Sequence, residues 1–192
     1  MKLLICIVGG SGSGKSTLED EIIIHDGFSK AISTTTRERR EGEHNGREYN
    51  FVTEEEFQAI VEDGGLLENV SFAGNNYGLS SDEFHKNNDH LVFVVEPNGL
   101  KQILAYVDNN KSLGITPLVI YMNITEKERF KNMVKRGDNP IDIQERLKAE
   151  TIIEDFELLD IEPQIKVSKL HGGVSETVME DIYKFIDLIE KG

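Results

Sequence analysis

An apolar run, Leu3–Val8, breaks abruptly into Gly9-Gly10-Ser11-Gly12-Ser13-Gly14-Lys15-Ser16-Thr17, and this junction constrains the fold more than any other feature. Six consecutive apolar residues read as a strand buried on both faces, the habit of parallel sheets covered by helices. The glycine-rich segment matches G-x-x-x-x-G-K-[ST] and leads into a helical pattern carrying Leu18, Ile22 and Ile23. Strand, glycine-rich turn and helix, in that order, form the context that this phosphate-binding motif requires. A Gly/Ser-rich connecting turn is the plain alternative, and the context weighs against it. The glycines let backbone N–H groups turn inward around a β-phosphate, and the helix N-terminus adds partial positive charge. Lys15 would reach the β- and γ-phosphates, and the Ser16 hydroxyl would coordinate Mg²⁺ bound with the nucleotide. Gly10, Ser11, Gly12, Ser13, Gly14, Lys15, Ser16 and Thr17 are therefore the expected triphosphate-binding residues.

Further strand-like runs lie at Leu91–Val95 and Leu118–Met122, with a weaker one at Gln164–Val167. Amphipathic helical patterns fall between them. Thr53-Glu54-Glu55-Glu56 and Thr125-Glu126-Lys127-Glu128 both read as capping boxes that open helices. Pro140 after Asn139 suits a first helical turn, and Ile143, Leu147 and Phe156 then fall near one face. Met179, Ile182, Phe185, Ile186 and Ile189 make the apolar stripe of a terminal helix. Strands alternating with helices predict an α/β domain on a parallel sheet. The stretch Ser33–Ser80 breaks this rhythm with polar residues, glycines and short runs at Tyr49–Val52 and Val70–Ala73. It reads as a small mixed lobe, partly antiparallel, inserted after the first helix. No repeat or low-complexity linker divides the 192 residues, so one domain is expected.

The 21 Lys and Arg residues face 35 Asp and Glu, a net charge of −14. That balance argues against general binding to nucleic acid or an anionic membrane. No apolar run approaches the ~20 residues of a membrane span. The N-terminal run ends in glycines and reads as a strand, not a signal peptide. The one cysteine, Cys6, lies inside that run, which suits a reducing cytoplasm. His25, His44, His85, His90 and His171 lack metal-ligand spacing, so a metal held by the protein alone is not expected. Against the acidic background, Arg37, Arg39 and Arg40 stand within four residues, and Arg129, Lys131, Lys135 and Arg136 form a second cluster, with Arg146 beyond. Guanidinium forks suit phosphate. A solvated loop in which Glu38, Glu41 and Glu43 neutralise the arginines is the alternative for the first cluster.

The segment STTTRERREGEHNGREYNFVTEEEF (Ser33–Phe57) closely resembles the substrate-binding lobe of the guanylate kinase family. LLENVSFAGNNYGLS (Leu66–Ser80) is similar to the family's L-E-x-x-x-x-x-G-N-x-Y-G stretch. VFVVEPNG (Val92–Gly99) resembles its D-x-x-G strand end, and KRGDNPIDIQERL (Lys135–Leu147) resembles its lid. The resemblance implies a three-layer P-loop NTPase core with a parallel sheet, an inserted mixed α/β lobe that binds the nucleoside monophosphate, and a helical lid. Core 1–32, 91–124 and 148–192, lobe 33–90 and lid 125–147 are the expected divisions. The implied reaction transfers the γ-phosphoryl of ATP to GMP, with dGMP as a further acceptor and Mg²⁺ bound with ATP. Lys15, Arg40, Arg136 and Arg146 become the expected catalytic residues. Ser33, Arg37, Arg40, Glu43, Tyr49, Glu68, Tyr77, Ser80 and Glu96 become the expected GMP-binding residues. Ser33 and Glu68 would read guanine, and Ser80 would stand in for a missing hydroxyl at Leu79. The chain departs from the family pattern at Arg39, Leu79, Val94, Glu96 and Asn132. ATP and GMP are the expected partners of a monomer or homodimer, with no nucleic acid and no membrane. A kinase for other nucleoside monophosphates and a non-catalytic protein-binding module are the alternatives. A GTPase switch is disfavoured because no N-K-x-D motif follows the loop.

Overall fold

Leu3 to Val8, the heart of strand β1 (Lys2–Gly9), are all 0% exposed. The computed structural model describes residues 2–40, 42–72, 74–86, 88–150, 152–168 and 174–191. β1 sits at the centre of a five-stranded sheet in which every paired neighbour is parallel. The order is β2 (Phe28–Lys30), β7 (His90–Val94), β1, β8 (Ile115–Met122) and β9 (Ile165–Val167). Alternation along β1 divides the core into two layers. Leu3, Ile5 and Ile7 pack with Leu18 and Ile22 of α1 (Lys15–Ile22) and with Met179 and Ile182 of α7 (Val174–Lys191). Leu4, Cys6 and Val8 pack with Leu100 and Ile103 of α3 (Pro97–Asn109) and with Phe156 of α6 (Ile152–Glu157). Burying each large aliphatic side chain stabilises the fold by about 1.5–3 kcal/mol. The expected three-layer α/β core is what forms.

A second sheet, in the order β4 (Asn50–Phe51), β3 (Thr34–Thr35), β6 (Asn75–Ser80) and β5 (Leu66–Phe72), occupies the predicted insert. It is mixed: β3 pairs parallel with β4 and antiparallel with β6, and β5 is antiparallel to β6. Leu67 and Leu79 from this sheet join the core layer of Leu4 and Cys6, so the two sheets share apolar packing. A buried carboxylate ties the chain where it passes between them. Glu83 accepts from Ile32 N at 3.2 Å and from Asn50 Nδ2 at 3.3 Å, and it pairs with Lys86.

Helix starts obey the expected chemistry with one exception. α2 (Glu54–Glu62) has a complete capping box: Thr53 Oγ1 accepts from Glu56 N at 3.2 Å, and Glu56 Oε2 accepts from Thr53 N at 2.8 Å. α4 (Glu126–Arg136) has only half of one. Thr125 Oγ1 accepts from Glu128 N, but the Glu128 carboxylate takes the Thr125 hydroxyl proton at 2.8 Å instead of the backbone N–H. α5 (Pro140–Ala149) starts behind Asn139, whose Oδ1 accepts from Ile141 N at 2.8 Å. The face expected to run on to Phe156 is interrupted: Glu150 is extended (φ −87°, ψ 123°), and α6 begins anew at Ile152. Of the expected run Val70–Ala73, Ala73 lies outside the described residues. No helix among the described residues is long and apolar enough to cross a membrane.

Because Thr53 and Glu56 satisfy each other's orphan groups, Thr53→Ala should lower the unfolding free energy by about 1 kcal/mol. A denaturant titration measures this, and an unchanged midpoint would show that α2 is held by packing alone.

Candidate functional site

The glycine-rich turn leaves β1 at the carboxyl end of the parallel sheet and closes on α1. Gly12 takes φ 75°, and a Cβ there would stand 2.6 Å from the Arg129 carbonyl oxygen, so only glycine fits beneath α4. Asn132 Nδ2 donates to Gly12 O at 2.8 Å, one helical turn beyond Arg129. Lys15 lies back along the loop, its Nζ donating to Gly9 O at 2.6 Å and Gly10 O at 3.0 Å. Burial lowers its pKa, while the carboxylates of Glu150 and Glu96 oppose that shift. Glu150 also reaches the loop directly. Its Oε1 accepts from Ser11 N at 2.7 Å, and its Oε2 pairs with Arg129.

Ser33, Tyr49, Glu68, Tyr77 and Glu96 line one hollow of about 510 Å³, between the second sheet and the end of β7. A smaller hollow of about 230 Å³ shares Ser33, Tyr49 and Val94 with it and reaches Ser16 at the start of α1. The two make one cleft running from the phosphate loop to Glu68. Glu68 is 5% exposed, and burial pushes its pKa up to about 7 although Leu79 N–H donates to the carboxylate. The Leu79 side chain is fully buried, so this residue contributes to the site through its backbone.

Arg37, Glu43 and Tyr49 form a pre-arranged group at the lobe's edge. Arg37 Nη2 donates to both Glu43 oxygens, at 2.8 and 3.1 Å, and its guanidinium lies 5.4 Å from the Tyr49 ring centroid. The Tyr49 and Tyr77 rings meet edge to face at 5.8 Å. Glu43 Oε2 also accepts from Arg40 N at 2.8 Å, and the Arg40 side chain is exposed. The Arg37 hydrogen bond, joined by that backbone N–H, holds the Glu43 carboxyl below its usual range. One acid thus orients one arginine's side chain and the other's backbone.

The remaining expected residues stand elsewhere. Ser80 is outside the lining of both hollows; its Oγ accepts from Asp82 N at 3.2 Å and caps the 3₁₀ turn Ser81–His85. In this structure the Ser80 hydroxyl is therefore engaged as a cap, and Arg37, Arg40 and Glu43 likewise stand outside both linings. Arg136 is exposed at the end of α4 and pairs with Asp138, Nε to Oδ1 at 3.0 Å, so its guanidinium is turned from the loop onto its own helix cap. The Arg146 side chain and His171 lie outside the described residues. The Ser16 hydroxyl offers an oxygen donor at the start of α1, which suits a hard cation shared with phosphate oxygens. Among the described residues, no group of three or more His, Cys, Asp or Glu converges as a metal site. The sequence pattern carries no sign of Glu150, which lies 139 positions from its partner Ser11. Arg129 stands out in the sequence only as one member of a basic cluster.

Two outcomes test this arrangement. Ser80→Ala should lower thermal stability through the lost cap and leave kcat/KM for the nucleotide acceptor unchanged. For Glu68, the folded-state pKa of about 7 lies above the ordinary value of 4.5, so the folded protein retains a proton that the unfolded chain releases. Its contribution is full below the lower value and is lost as pH rises through the upper one. Glu68→Gln should therefore gain stability relative to the native protein between about pH 5 and about pH 8. Parallel melting curves would refute the buried-carboxylate account.

Comparison with known proteins agrees with the geometry. Residues 1–164 match the family model described as guanylate kinase. The guanylate kinase of Malacoplasma penetrans is 33% identical over 192 residues, covering 92% of this chain and 94% of that protein. The guanylate kinase of Streptococcus agalactiae serotype III is 34% identical over 152 residues, covering 76% of this chain and 70% of that protein. The crystal structure of guanylate kinase from Anaplasma phagocytophilum aligns with a TM-score of 0.58 at 18% identity, covering 98% of this chain and 85% of that one. At that identity the likeness speaks to the fold alone. With the family model spanning the core, the insert and the phosphate loop together, the chain belongs to the guanylate kinase family.

Proposed function

We propose that the protein transfers the γ-phosphoryl group of ATP to GMP, giving ADP and GDP. The observation that carries this reading is the continuous cleft with a phosphate loop at one end and a buried carboxylate at the other. Guanine presents N–H donors at N1 and N2, which an ionised Glu68 accepts together. Adenine presents an acceptor at that edge and would leave a buried carboxylate unpaired, an expensive mismatch. The donors of guanine favour the ionised form, so GMP binding draws the Glu68 pKa down from about 7.

In this reading residues 33–90 form the acceptor lobe, 125–147 the lid, and the rest the core. Arg37, already aimed by Glu43, and the exposed Arg40 take the GMP phosphate, with Tyr49 and Tyr77 donating phenol hydroxyls. Lys15 turns from its own loop carbonyls to the β- and γ-phosphates. Ser16 would hold Mg²⁺ that enters with ATP, the cation supplying charge neutralisation on the phosphate oxygens, while Glu96 lines the acceptor hollow. The acceptor is already a phosphate anion, so alignment and charge neutralisation carry the rate and no strong general base is required. Arg136, paired with Asp138 in this structure, reaches the transferring group when the lid moves over the cleft, Arg146 being the second lid arginine that the resemblance implies, and that closure excludes water.

A coupled assay of ADP formation across GMP, dGMP, AMP, CMP, UMP and dTMP tests the base assignment. Lys15→Ala should lower kcat by at least ~10²-fold without unfolding the protein; near-normal turnover would sink the kinase reading. Arg37→Ala and Arg40→Ala should raise KM for GMP far more than for ATP. A hydrogen bond to a charged group contributes roughly 1.5–3 kcal/mol, so Glu68→Gln should reduce the GMP/AMP preference on the order of 10- to 100-fold.

A further inference from the structure

The Glu150 carboxylate makes the contacts that a phosphate would make on this loop. One oxygen takes a loop backbone donor, Ser11 N at 2.7 Å, and the other takes the Arg129 guanidinium. The pair is deeply enclosed, with the Arg129 and Glu150 side chains 5% and 9% exposed. It is also pressed against the loop. A Cβ on Gly10 would stand 1.9 Å from Arg129 Nη1 and 2.8 Å from Glu150 Oε2. Arg129 Nη1 further approaches Ser11 O at 3.4 Å, while its Nε is buried with no hydrogen-bond partner among the described residues. A guanidinium with a donor to spare, fixed over a phosphate loop, is built to hold more than one carboxylate. Burial opposes ionisation of Glu150, but the Ser11 N–H and Arg129 hold its carboxyl below the usual range, so it is an anion.

Two anions cannot share the same donors. A triphosphate that takes Ser11 N–H must displace Glu150, and Arg129 is then left buried beside the incoming charge. We propose that Glu150 is an internal anion that ATP exchanges for its own phosphate oxygens, and that Arg129 is the residue handed from the carboxylate to the triphosphate. The proposal rests on the reading of the loop as the ATP site. Local structure permits the exchange: Glu150 stands extended at the break between α5 and α6, so its side chain can swing away without unwinding a helix. The Asn132 bond to Gly12 O keeps α4, and Arg129 with it, against the loop.

The test is calorimetric titration of ATP with magnesium, and separately of GMP, into the native protein, Glu150→Gln, Glu150→Ala and Arg129→Met. Removing the competing anion should tighten ATP binding about five- to tenfold in both Glu150 variants, and removing the cation should weaken it at least about tenfold. GMP affinity should stay constant and reports that each variant is folded. Should Arg129→Met fail to fold, the Glu150 pair decides alone: an internal anion predicts tighter ATP binding, whereas a buttress for Arg129 predicts weaker. Unchanged or weaker ATP binding in both Glu150 variants overturns the exchange and leaves the ATP site itself standing. No ATP binding by the native protein and Glu150→Ala alike would remove the ATP site, and the exchange with it.

Discussion

Parallel hydrogen bonding of β1 to β7 on one side and to β8 on the other decides where the phosphate loop, Glu96 and the start of α4 stand. The register sets Ile7 beside Val94 and Gly9 beside Met122, so the three strands end almost level. The segments that leave these strands therefore emerge along one edge. The phosphate loop continues from β1, Glu96 from β7, and Asn123 to Thr125 lead from β8 into α4. This is the crevice outside the carboxyl ends of a parallel sheet, where α/β proteins bind ligands. Arg129 and Asn132 rest on the loop because β8 is the immediate neighbour of β1.

Charge is arranged against the protein's overall sign. The chain carries a net charge of −14, yet Arg37 beside Tyr49 and Arg129 beside the glycine-rich loop are each held in position by an acid. Glu43 fixes Arg37 in the lobe, and Glu150 fixes Arg129 at the loop. An arginine already held in place loses less side-chain entropy when an anionic ligand arrives. The two cases differ in depth. The Arg37 pair is partly covered, with side chains 13% and 17% exposed, and the Arg129 pair is more enclosed, where loss of one partner leaves an uncompensated charge.

Much of this is legible in the sequence because it is local. Leu3–Val8 and the adjoining Gly9–Thr17 announce strand, loop and helix within fifteen consecutive residues, and those elements form as read. Ser33, Tyr49, Glu68, Tyr77 and Glu96, singled out by resemblance, line one hollow. The sequence says less where a side chain chooses among partners. Ser80 could face the base or cap the next turn, and Asp82 N lies two residues away. Arg136 pairs in this structure with Asp138, two residues on, a choice that its place in a basic cluster does not reveal. Ile143, Leu147 and Phe156 suit one helical face, and no periodicity reveals that Glu150 leaves the helix to meet Ser11 across the fold. β2 is three residues long and ends in Ser29 and Lys30, too short and polar to show a period.

Glu83 has a mechanical consequence. Its carboxylate is bonded to the segment entering the second sheet at Ile32, to β4 at Asn50, and to the segment leaving at Lys86. Both crossings between the sheets are thus gathered at one point, about which any rotation of the second sheet would have to turn. Rotation about a pivot displaces each group in proportion to its radius. Ser33, next to Ile32, would sit close to such an axis and travel little. Arg37 and Arg40, farther along the chain and on the lobe's outer edge, sweep through longer arcs for the same angle. A turn of the second sheet about that point would therefore carry Arg37 and Arg40 farther than Ser33.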